Sequence, residues 1–460
     1  MGERRARDIE QVRQQLGREP TTPFTVVARC GPGHPLVIRN EPLDADGRPF
    51  PTLFWLTCPD AVRAVARLES SGEIGRFNLR AESDASFATE LVRAHEEYAA
   101  ERARSLPDAA EWGGVGGTRA GVKCLHAHYA NHLSGGADPV GAWVAHRVEP
   151  VHDERGGRVA AIDQGTNSIR LLIVEPARGG PVELARDMVI TRLGQGVDRT
   201  GSIAPEALQR TVSVLERYCR RARALHAERI HVGATSAVRD AANRQELERA
   251  VLEHAGSPLE VISGEREAAL SFLGAVRGLE APSPFLVLDI GGGSTEFVLG
   301  TEEPTASIST QMGSVRLTER FVAHDPPLAE ELDAIRHHVE QILDDVERAI
   351  DVRKAATFVA VAGTATTMQA IALGLPGYDP DLIHRTSLRL ETAERVLEEL
   401  AAMTTPERAA LPVMAIGRAD VIVAGVLVLV TVMRRFGLEE ALVSETDILD
   451  GLALETLRTL

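Results

Sequence analysis

The sequence predicts an α/β protein with a duplicated fold around a cleft, preceded by a small α+β domain. From Arg158 onward, short runs rich in Val, Ile and Leu alternate with long amphipathic stretches, the pattern of α/β architecture. Within this part, VAAIDQGTNSIRLLIVE at Val159 is repeated as FLVLDIGGGSTEFVLG at Phe285, and such a repeat indicates duplication. The polar segment VEPVHDERGGR separates this part from the residues before it.

Composition places the chain among ordinary globular proteins and excludes several function classes. It has 460 residues, 44% hydrophobic and 25% charged, enough for several domains. A formal charge of −16 argues against general nucleic-acid binding, which needs a basic surface. Four cysteines are too few for a disulfide framework and indicate a reducing cytoplasm. The charged N-terminus is unlike a signal peptide, and the longest apolar run, Val421 to Met433, is shorter than a membrane span.

Residues 1–148 form the predicted α+β domain. A polar helical stretch precedes two β-rich runs, TVVAR and PLVIR, which flank the turn-forming Gly31-Pro32-Gly33. The glycine-rich run from Arg104 to Gly121 predicts a mobile loop. We place a linker at residues 149–157, because polar, glycine-containing sequence is typical of a boundary that few contacts cross.

A group of thiol and imidazole side chains lies near the end of this domain. Its members are Cys124, His126, His128 and His132. Cys30 and Cys58 could join them in space as a zinc-binding set, and positions 124, 128 and 132 share one face of a helix. The alternative, buried cysteines and exposed histidines without a metal, is favoured because the sequence has no paired C-x-x-C spacing.

The second part divides between the two repeats. We predict one domain over residues 158–278 and another over 279–460, and leave open that the C-terminal helix returns to the first. Long helices are predicted from Glu206 to Ala224 and from Leu328 to Val352. In each repeat, an apolar strand ends at an aspartate and a glycine turn leads to a second strand, which predicts a hairpin with a polar tip.

The two hairpin tips have the composition of a phosphate site. Small residues let an anion approach backbone N–H groups that point into one concavity. The residues are Gly165, Thr166, Asn167 and Ser168 in the first tip and Gly291, Gly292, Gly293 and Ser294 in the second. The aspartates before the tips, Asp163 and Asp289, oppose an anion unless a divalent cation lies between them. The pattern therefore implies Mg²⁺, although one copy alone could be a tight hairpin with a capping aspartate.

Two other turns offer further anion ligands. VAVAGTATTMQAI at Val359 predicts a strand followed by a helix whose N-terminus can bind an anion. HVGATSAVRDAANRQE at His231 places Arg239 at a similar turn, where it can bind phosphate oxygens or pair with Asp240 at the surface. A polyanionic ligand of this acidic chain also needs a local basic cluster. The candidates for that cluster are Arg170, Arg192, Arg239 and Arg316.

Seven motifs in order resemble those of the exopolyphosphatase and guanosine pentaphosphate phosphohydrolase (Ppx/GppA) family. They are DQGTNSIR, RLGQGVDRTG, GATSAVRDA, ISGEREA, LDIGGGSTE, MGSVRLTE and AGTATT. The resemblance covers about Arg158 to Leu460 and implies two RNase-H-like domains of the actin, Hsp70 and sugar-kinase superfamily. It implies Mg²⁺-dependent release of terminal phosphate from polyphosphate or from guanosine pentaphosphate, between which the motifs do not decide. About Arg7 to Trp143 resembles a bacterial family known only as domain of unknown function 501.

The resemblance also assigns roles to single residues. The family's catalytic glutamate falls at Glu267 in ISGEREA, whereas helix electrostatics alone favour Glu265 equally. Glu267 is then expected to activate the attacking water, and Asp163, Asp289 and Glu296 to position Mg²⁺.

Two alternatives from other classes stay open at this point. One is a non-catalytic phosphate or nucleotide sensor or scaffold, against which the retained acids argue. The other is an ATP-dependent kinase of the same superfamily. The expected partners are the phosphate substrates, without nucleic acid or membrane, and a homodimer is left open.

Overall fold

The computed structural model describes residues 2–44, 46–148, 156–177 and 180–460. The strands are β1 (Phe24–Arg29), β2 (Pro35–Asn40), β3 (Phe54–Leu56), β4 (Val159–Gln164), β5 (Ser168–Glu175), β6 (Val182–Ile190), β7 (Arg229–Ala234), β8 (Glu260–Val261), β9 (Phe285–Ile290), β10 (Thr295–Gly300), β11 (Pro304–Thr310), β12 (Thr357–Val361), β13 (Thr386–Arg389) and β14 (Glu440–Val443). The helices are α1 (Glu3–Leu16), α2 (Pro59–Ser70), α3 (Glu73–Ser83), α4 (Ala85–Ala103), α5 (Leu125–Leu133), α6 (Pro139–Ala145), α7 (Val197–Thr200), α8 (Pro205–Ala224), α9 (Ser236–Asp240), α10 (Gln245–Ala255), α11 (Gly264–Val276), α12 (Ser314–Phe321), α13 (Ala329–Ala349), α14 (Ala362–Ala372), α15 (Pro380–Ile383), α16 (Leu390–Ala402), α17 (Thr405–Ala409), α18 (Ile422–Phe436) and α19 (Ile448–Arg458).

Two sheets with the same strand order confirm the predicted duplication. The first sheet runs β6-β5-β4-β7-β8 and the second β11-β10-β9-β12-β14-β13. In each sheet, the first three strands are antiparallel, and the central strand pairs in parallel with the next one, β4 with β7 and β9 with β12. Both central strands are buried at every position, as expected for strands covered on both faces.

Helices α11 and α19 lie between the two sheets and connect the halves. Helix α19 packs against β4, β5 and β7 of the first sheet, while α11 packs against β9, β10 and β11 of the second. The helices cross closely: a Cβ at Gly274 would lie 1.9 Å from the carbonyl oxygen of Asp447, and one at Gly451 would lie 2.0 Å from that of Leu270. Only glycine permits this approach at both positions. The crossing fixes the ends of both helices relative to the cleft.

The first domain packs directly on the first half. Its antiparallel sheet β1-β2-β3 contacts β6 through β1, and α5 contacts α8. Buried hydrophobic residues form one continuous core from Ala28 in β1 to Val251 in α10. Arg217 of α8 also forms an ion pair with Glu101 of α4. Residues 149–155 of the predicted linker lie outside the described residues, but many contacts join the domains on either side of it.

The start of α1 contacts both halves of the second part. The backbone N–H groups of Gly2 and Arg5 donate to the carboxylates of Asp379 (3.1 Å) and Asp381 (3.2 Å), next to α15 in the second half. The side chain of Arg4 pairs with Glu183 of the first half at 2.7 Å. The N-terminal domain therefore spans the boundary between the halves.

The glycine-rich run predicted as a mobile loop is held by a buried arginine. Arg102, with 0% exposure, donates to the carbonyl oxygens of Pro51 (2.6 Å), Ala109 (3.0 Å) and Gly113. Carbonyl groups that would otherwise need water are thereby satisfied inside the protein. The apolar run from Val421 forms α18, whose residues from Ile422 to Met433 are all buried. Among the described residues, no helix is both long enough and apolar enough to cross a bilayer.

Candidate active site

The two glycine-containing tips meet across the cleft. A Cβ at Gly292 would lie 3.0 Å from Cβ of Thr166, and one at Gly293 would lie 2.8 Å from the Thr166 hydroxyl oxygen. Thr166 is also hydrogen-bonded to Ser236, at the start of α9, with 2.8 Å between the hydroxyl oxygens. The tips and the β7–α9 turn therefore form one continuous surface.

Both tips close in the same way and leave the same kind of backbone donor open. The N–H of Gly165 donates to the carbonyl of Ser168 at 2.9 Å, and that of Gly291 donates to the carbonyl of Ser294 at 3.0 Å. The N–H groups at the next positions have no acceptor among the described residues; they belong to Thr166, Asn167, Gly292 and Gly293. Unsatisfied N–H groups at a concave surface are the donors that an anion requires.

A cavity of about 460 Å³ opens at these tips. Its wall includes every predicted tip residue, from Gly165 to Ser168 and from Gly291 to Ser294, together with Asp163, Asp289 and Glu267. The predicted β12–α14 turn contributes Ala362, Gly363 and Thr364. Two of the predicted site residues, Arg239 and Glu296, do not line it.

The carboxylates beside the two tips differ in one respect between the copies. In the first hairpin Asp163 is paired in register with Arg170, which donates to Asp163 Oδ2 at 2.6 and 2.9 Å. In the second, the corresponding pair is Asp289 and Glu296, two acids. The duplicated framework thus carries an acid paired with a base on one side and two neighbouring acids on the other.

The acidic pair has strongly shifted proton affinities. Burial, with the neighbouring charges of Asp447 and Asp163, raises the pKa of Asp289 to about 7 despite a hydrogen bond from Ser271. Burial and the charge of Asp289 raise the pKa of Glu296 to about 8. Ionising all of these buried, neighbouring carboxylates together is energetically unfavourable unless a cation is nearby.

The structure separates the two glutamates of ISGEREA. Ser263 caps α11 by accepting from the backbone N–H of Arg266 at 3.2 Å, and this turns Glu265 to solvent and Glu267 into the cavity wall. Glu267 is 8% exposed. Burial, followed by the charges of Glu296 and Asp289, raises its pKa well above the ordinary value. A buried acid with a perturbed pKa in a cleft is a candidate general base.

The predicted basic residues are engaged by protein groups. Arg239 donates to the carbonyl of Ile262 at 2.6 Å and lies 3.3 Å from Glu267 Oε2, so that its role as a phosphate ligand stays a prediction. Asp240, the alternative partner considered for Arg239, instead pairs with Arg316 at 2.9 Å. The other members of the proposed basic cluster also have acidic partners: Arg170 pairs with Asp163 and Asp447, and Arg192 with Asp420.

Arg418 is a cavity residue that the sequence analysis missed. Its guanidinium lies in the wall beside Gly363 and donates to the Thr367 hydroxyl at 2.7 Å. Among the described residues it has no ion-pair partner, in contrast to the cavity arginines Arg170 and Arg186. It lies in a loop without a glycine-rich motif, and only the folded structure shows that its side chain reaches the cavity.

Part of the cavity wall is apolar. Pro412, Val413 and Met414 line it. Tyr378 is nearby, and its hydroxyl donates to Glu445 Oε1 at 2.6 Å. The cavity wall therefore includes apolar side chains as well as the polar tips.

The thiol and imidazole group of the first domain is not a single cluster. Cys124 caps α5 rather than lying within it, so it does not share a helix face with His128 and His132. The ring of His128 is fully buried and is hydrogen-bonded through Nδ1 to Asp138 at 2.9 Å. The one trio of potential metal ligands found among the described residues is Glu69, Cys124 and His126.

Comparisons with known proteins agree with this architecture. The chain matches the Ppx/GppA phosphatase family over residues 172–460 and a protein family of unknown function (DUF501) over residues 26–146. Exopolyphosphatase 2 of Mycobacterium tuberculosis is 46% identical over 311 residues, which cover 65% of this chain and 98% of that protein.

Solved structures of similar fold cover the same share of the chain. A crystal structure of an exopolyphosphatase-like protein is 37% identical with a TM-score of 0.63, covering 66% of this chain and 99% of its own. A Ppx/GppA family member from Aquifex aeolicus is 31% identical with a TM-score of 0.57, covering 66% and 98%. With its duplicated sheets, its facing tips and a match over more than half of its length, the chain belongs to the Ppx/GppA phosphatase family and carries an N-terminal DUF501 domain.

Proposed function

We propose that this protein is a Mg²⁺-dependent exopolyphosphatase that releases terminal phosphate from inorganic polyphosphate, with Glu267 as the general base. As a member of this phosphatase family it is a hydrolase of phosphoanhydride bonds. The observation that carries the finer proposal is the convergence of two tips with open N–H groups on one cavity, with Glu267 in its wall.

The tips suit the terminal phosphoryl group. Open N–H groups on Asn167, Gly292 and Gly293 can bind non-bridging oxygens and stabilise charge as the bond to phosphorus breaks. Phosphoryl transfer needs little beyond positioning of water and charge stabilisation. Arg418, which has no acidic partner within the described ranges, is suited to the next phosphate along the chain, where a guanidinium can bind two oxygens.

Glu267 suits the role of base only when neighbouring charge is offset. Burial and the charges of Glu296 and Asp289 raise its pKa, so negative charge on these neighbours opposes loss of the proton from Glu267. Once that charge is neutralised, Glu267 can accept a proton from water at Oε1 or Oε2. Arg239, at 3.3 Å, holds the carboxylate in place.

The donor set fits a divalent cation in charge and in ligand type. Carboxylate oxygens are hard ligands, and Asp163 Oδ1 is buried with no hydrogen-bond partner in the described part of the chain. Asp163, Asp289 and Glu296 do not form a trio with donor atoms within 4.8 Å of one another, judged over the described residues. A single Mg²⁺ would therefore be held by one or two of these carboxylates and completed by water and substrate phosphate. When bound, Mg²⁺ would offset the charge that develops on the phosphate oxygens.

The experiment measures phosphate release from short polyphosphate, long polyphosphate and guanosine pentaphosphate, each with and without Mg²⁺ and without added nucleotide. We expect Mg²⁺-dependent release from polyphosphate. Glu267→Gln should lower kcat by about 100-fold or more, while Glu265→Gln, an exposed acid two residues away, serves as the matched control and should stay near wild type. Undiminished release by Glu267→Gln would contradict the assignment of the base.

Guanosine pentaphosphate is the alternative substrate, and the apolar wall of the cavity favours testing it. Pro412, Val413 and Met414 offer a surface on which a purine could lie, which polyphosphate does not need. A higher kcat/KM for guanosine pentaphosphate would assign that activity instead. Tight phosphate binding without release from any substrate would favour a non-catalytic sensor or scaffold.

A further inference from the structure

Three potential metal ligands converge at the contact of α2 and α5 in the N-terminal domain. Glu69 comes from the last turn of α2, Cys124 is the N-cap of α5, and His126 lies in the first turn of α5. One donor atom from each lies within 4.8 Å of the other two. The side chains of Glu69 and His126 are 25% and 22% exposed, so the site is accessible to an ion from solvent.

The separations resemble those between ligands of one tetrahedral zinc ion. His126 Nδ1 lies 3.1 Å from Glu69 Oε1 and 3.9 Å from Cys124 Sγ. Usual zinc–ligand bond lengths and a tetrahedral angle give about 3.3 Å between nitrogen and oxygen and about 3.6 Å between nitrogen and sulfur. The two separations from His126 therefore differ from those of a tetrahedral site by only a few tenths of an ångström, and the donor atoms of Glu69 and Cys124 lie within 4.8 Å of each other.

Groups behind the ligands fix their orientation. His126 Nε2 is 3.1 Å from the carbonyl oxygen of Val62, an acceptor for the Nε2 proton, so Nδ1, which faces Glu69 and Cys124, is the nitrogen available to a metal ion. Glu69 Oε1 accepts from the backbone N–H of Leu125 at 2.7 Å. Metal-binding histidines and carboxylates usually have such supporting hydrogen bonds.

We propose that Glu69, Cys124 and His126 bind Zn²⁺ through three protein ligands, with a fourth position left for water. A mixed oxygen, nitrogen and sulfur set suits zinc rather than Mg²⁺. Three protein ligands with an open position are typical of exchangeable or catalytic zinc sites rather than closed structural ones. His128 is not a ligand because its ring is fully buried and bonded to Asp138.

In the absence of metal, the same geometry makes an ion pair. Both ring nitrogens of His126 then face acceptors, Nε2 the carbonyl oxygen of Val62 and Nδ1 the carboxylate of Glu69, each at 3.1 Å, so that Nδ1 carries the proton of the pair. Zinc must displace that proton, and binding should release protons and weaken as the pH falls. If these residues served only as an ion pair, the protein would bind no zinc at this position.

The test uses the full-length, untagged protein after removal of metal by a chelator. Zn²⁺ is titrated in competition with a chromophoric chelator, and Co²⁺ is added separately as a spectroscopic probe. The ligand variants are Cys124→Ser, His126→Gln and Glu69→Gln. The controls are His34→Gln and His146→Gln, which change exposed histidines elsewhere in the same domain. Circular dichroism verifies that each variant is folded.

We expect one Zn²⁺ per chain, with affinity lowered at least tenfold in each ligand variant and unchanged in both controls. We also expect a thiolate-to-Co²⁺ charge-transfer band that Cys124→Ser abolishes. Phosphohydrolase activity of the ligand variants should be unchanged, because the site lies outside the cleft. The proposal is overturned if wild type binds no more zinc than the ligand variants, or if the Co²⁺ spectrum shows no thiolate band.

Discussion

Replacement of Glu296 by glutamine tests the charge asymmetry between the two hairpins. Glu296 is 1% exposed and faces Asp289 across the strand pair. Glutamine keeps nearly the same shape and can still accept from Ser309, which donates to Glu296 Oε1 at 2.7 Å. Its amide N–H can in turn donate to Asp289. The variant therefore removes one ionisable group with little change in packing.

The sign and size of the effect follow from the raised pKa. The unfolded chain loses the Glu296 proton near pH 4.5, whereas the folded protein holds it up to about pH 8. The contribution of this group to stability is therefore full at low pH and falls as the pH rises through that window. At about 1.4 kcal/mol per tenfold change in proton affinity, the loss approaches 5 kcal/mol at full ionisation. Glu296→Gln has no ionisable group at this position and should not show this loss of stability as the pH rises.

The assay is thermal unfolding between pH 5.5 and 8.5 with a chelator present. We expect the Tm of the wild type to fall more steeply with pH than that of the variant, with a difference of roughly 5–10 °C at pH 8.5. Added Mg²⁺ should narrow the difference. Glu302→Gln, which changes an exposed acid in the β10–β11 turn, is the control. Parallel Tm curves for wild type and Glu296→Gln would refute the reasoning.

Other substitutions test the remaining parts of the site and its support. Arg418→Met should lower kcat/KM on polyphosphate by about 10- to 100-fold, since a charge-assisted contact to phosphate contributes about 1.5–3 kcal/mol. The control, Arg353→Met, changes an arginine that is 88% exposed and should leave the kinetics unaltered. Equal kinetics for the two variants would argue against a phosphate contact. Gly274→Ala should destabilise the protein by about 3 kcal/mol or more in urea unfolding, because its Cβ would lie 1.9 Å from a backbone oxygen of α19. Gly75→Ala, in a helix with no atom within 4 Å of the added carbon, should instead stabilise it by about 0.5–1 kcal/mol; a loss of stability there would contradict the packing argument.

The positions of the tips could be predicted because local sequence determines them. A strand, a glycine turn and a second strand form one hairpin, and the repeat of Asp163 at Asp289 indicates that the same hairpin occurs twice. Two long helices also follow from periodicity: the stretch from Glu206 to Ala224 predicts α8, and the stretch from Leu328 to Val352 predicts α13, which ends three residues earlier, at Ala349. These elements depend on neighbours in the sequence.

Groups that act through distant contacts could not be predicted. The alternative partner considered for Arg239 was Asp240, the next residue, yet the fold brings Ile262 and Glu267 to its guanidinium. Arg418 reaches the cavity from a loop before α18, and nothing in its flanking residues indicates phosphate. The asymmetry between Arg170 and Glu296 was visible in the aligned repeats, but its meaning requires the register of both strand pairs.

The cysteine and histidine residues illustrate a second limit. Helical periodicity groups Cys124 with His128 and His132, but the helix starts one residue after Cys124. Glu69, which lies 55 residues earlier in the sequence than Cys124, approaches only because α2 packs against α5. Helix starts and helix contacts are set by tertiary packing, which composition does not reveal.

The contacts made by the start of α1 restrict how the enzyme can admit its substrate. One side chain of α1 is bound to the first half, and two backbone groups at its start are bound to the second. A rotation that separated the halves would have to break these bonds or release the helix end. The fused domain therefore opposes any motion that widens the cleft between the two halves.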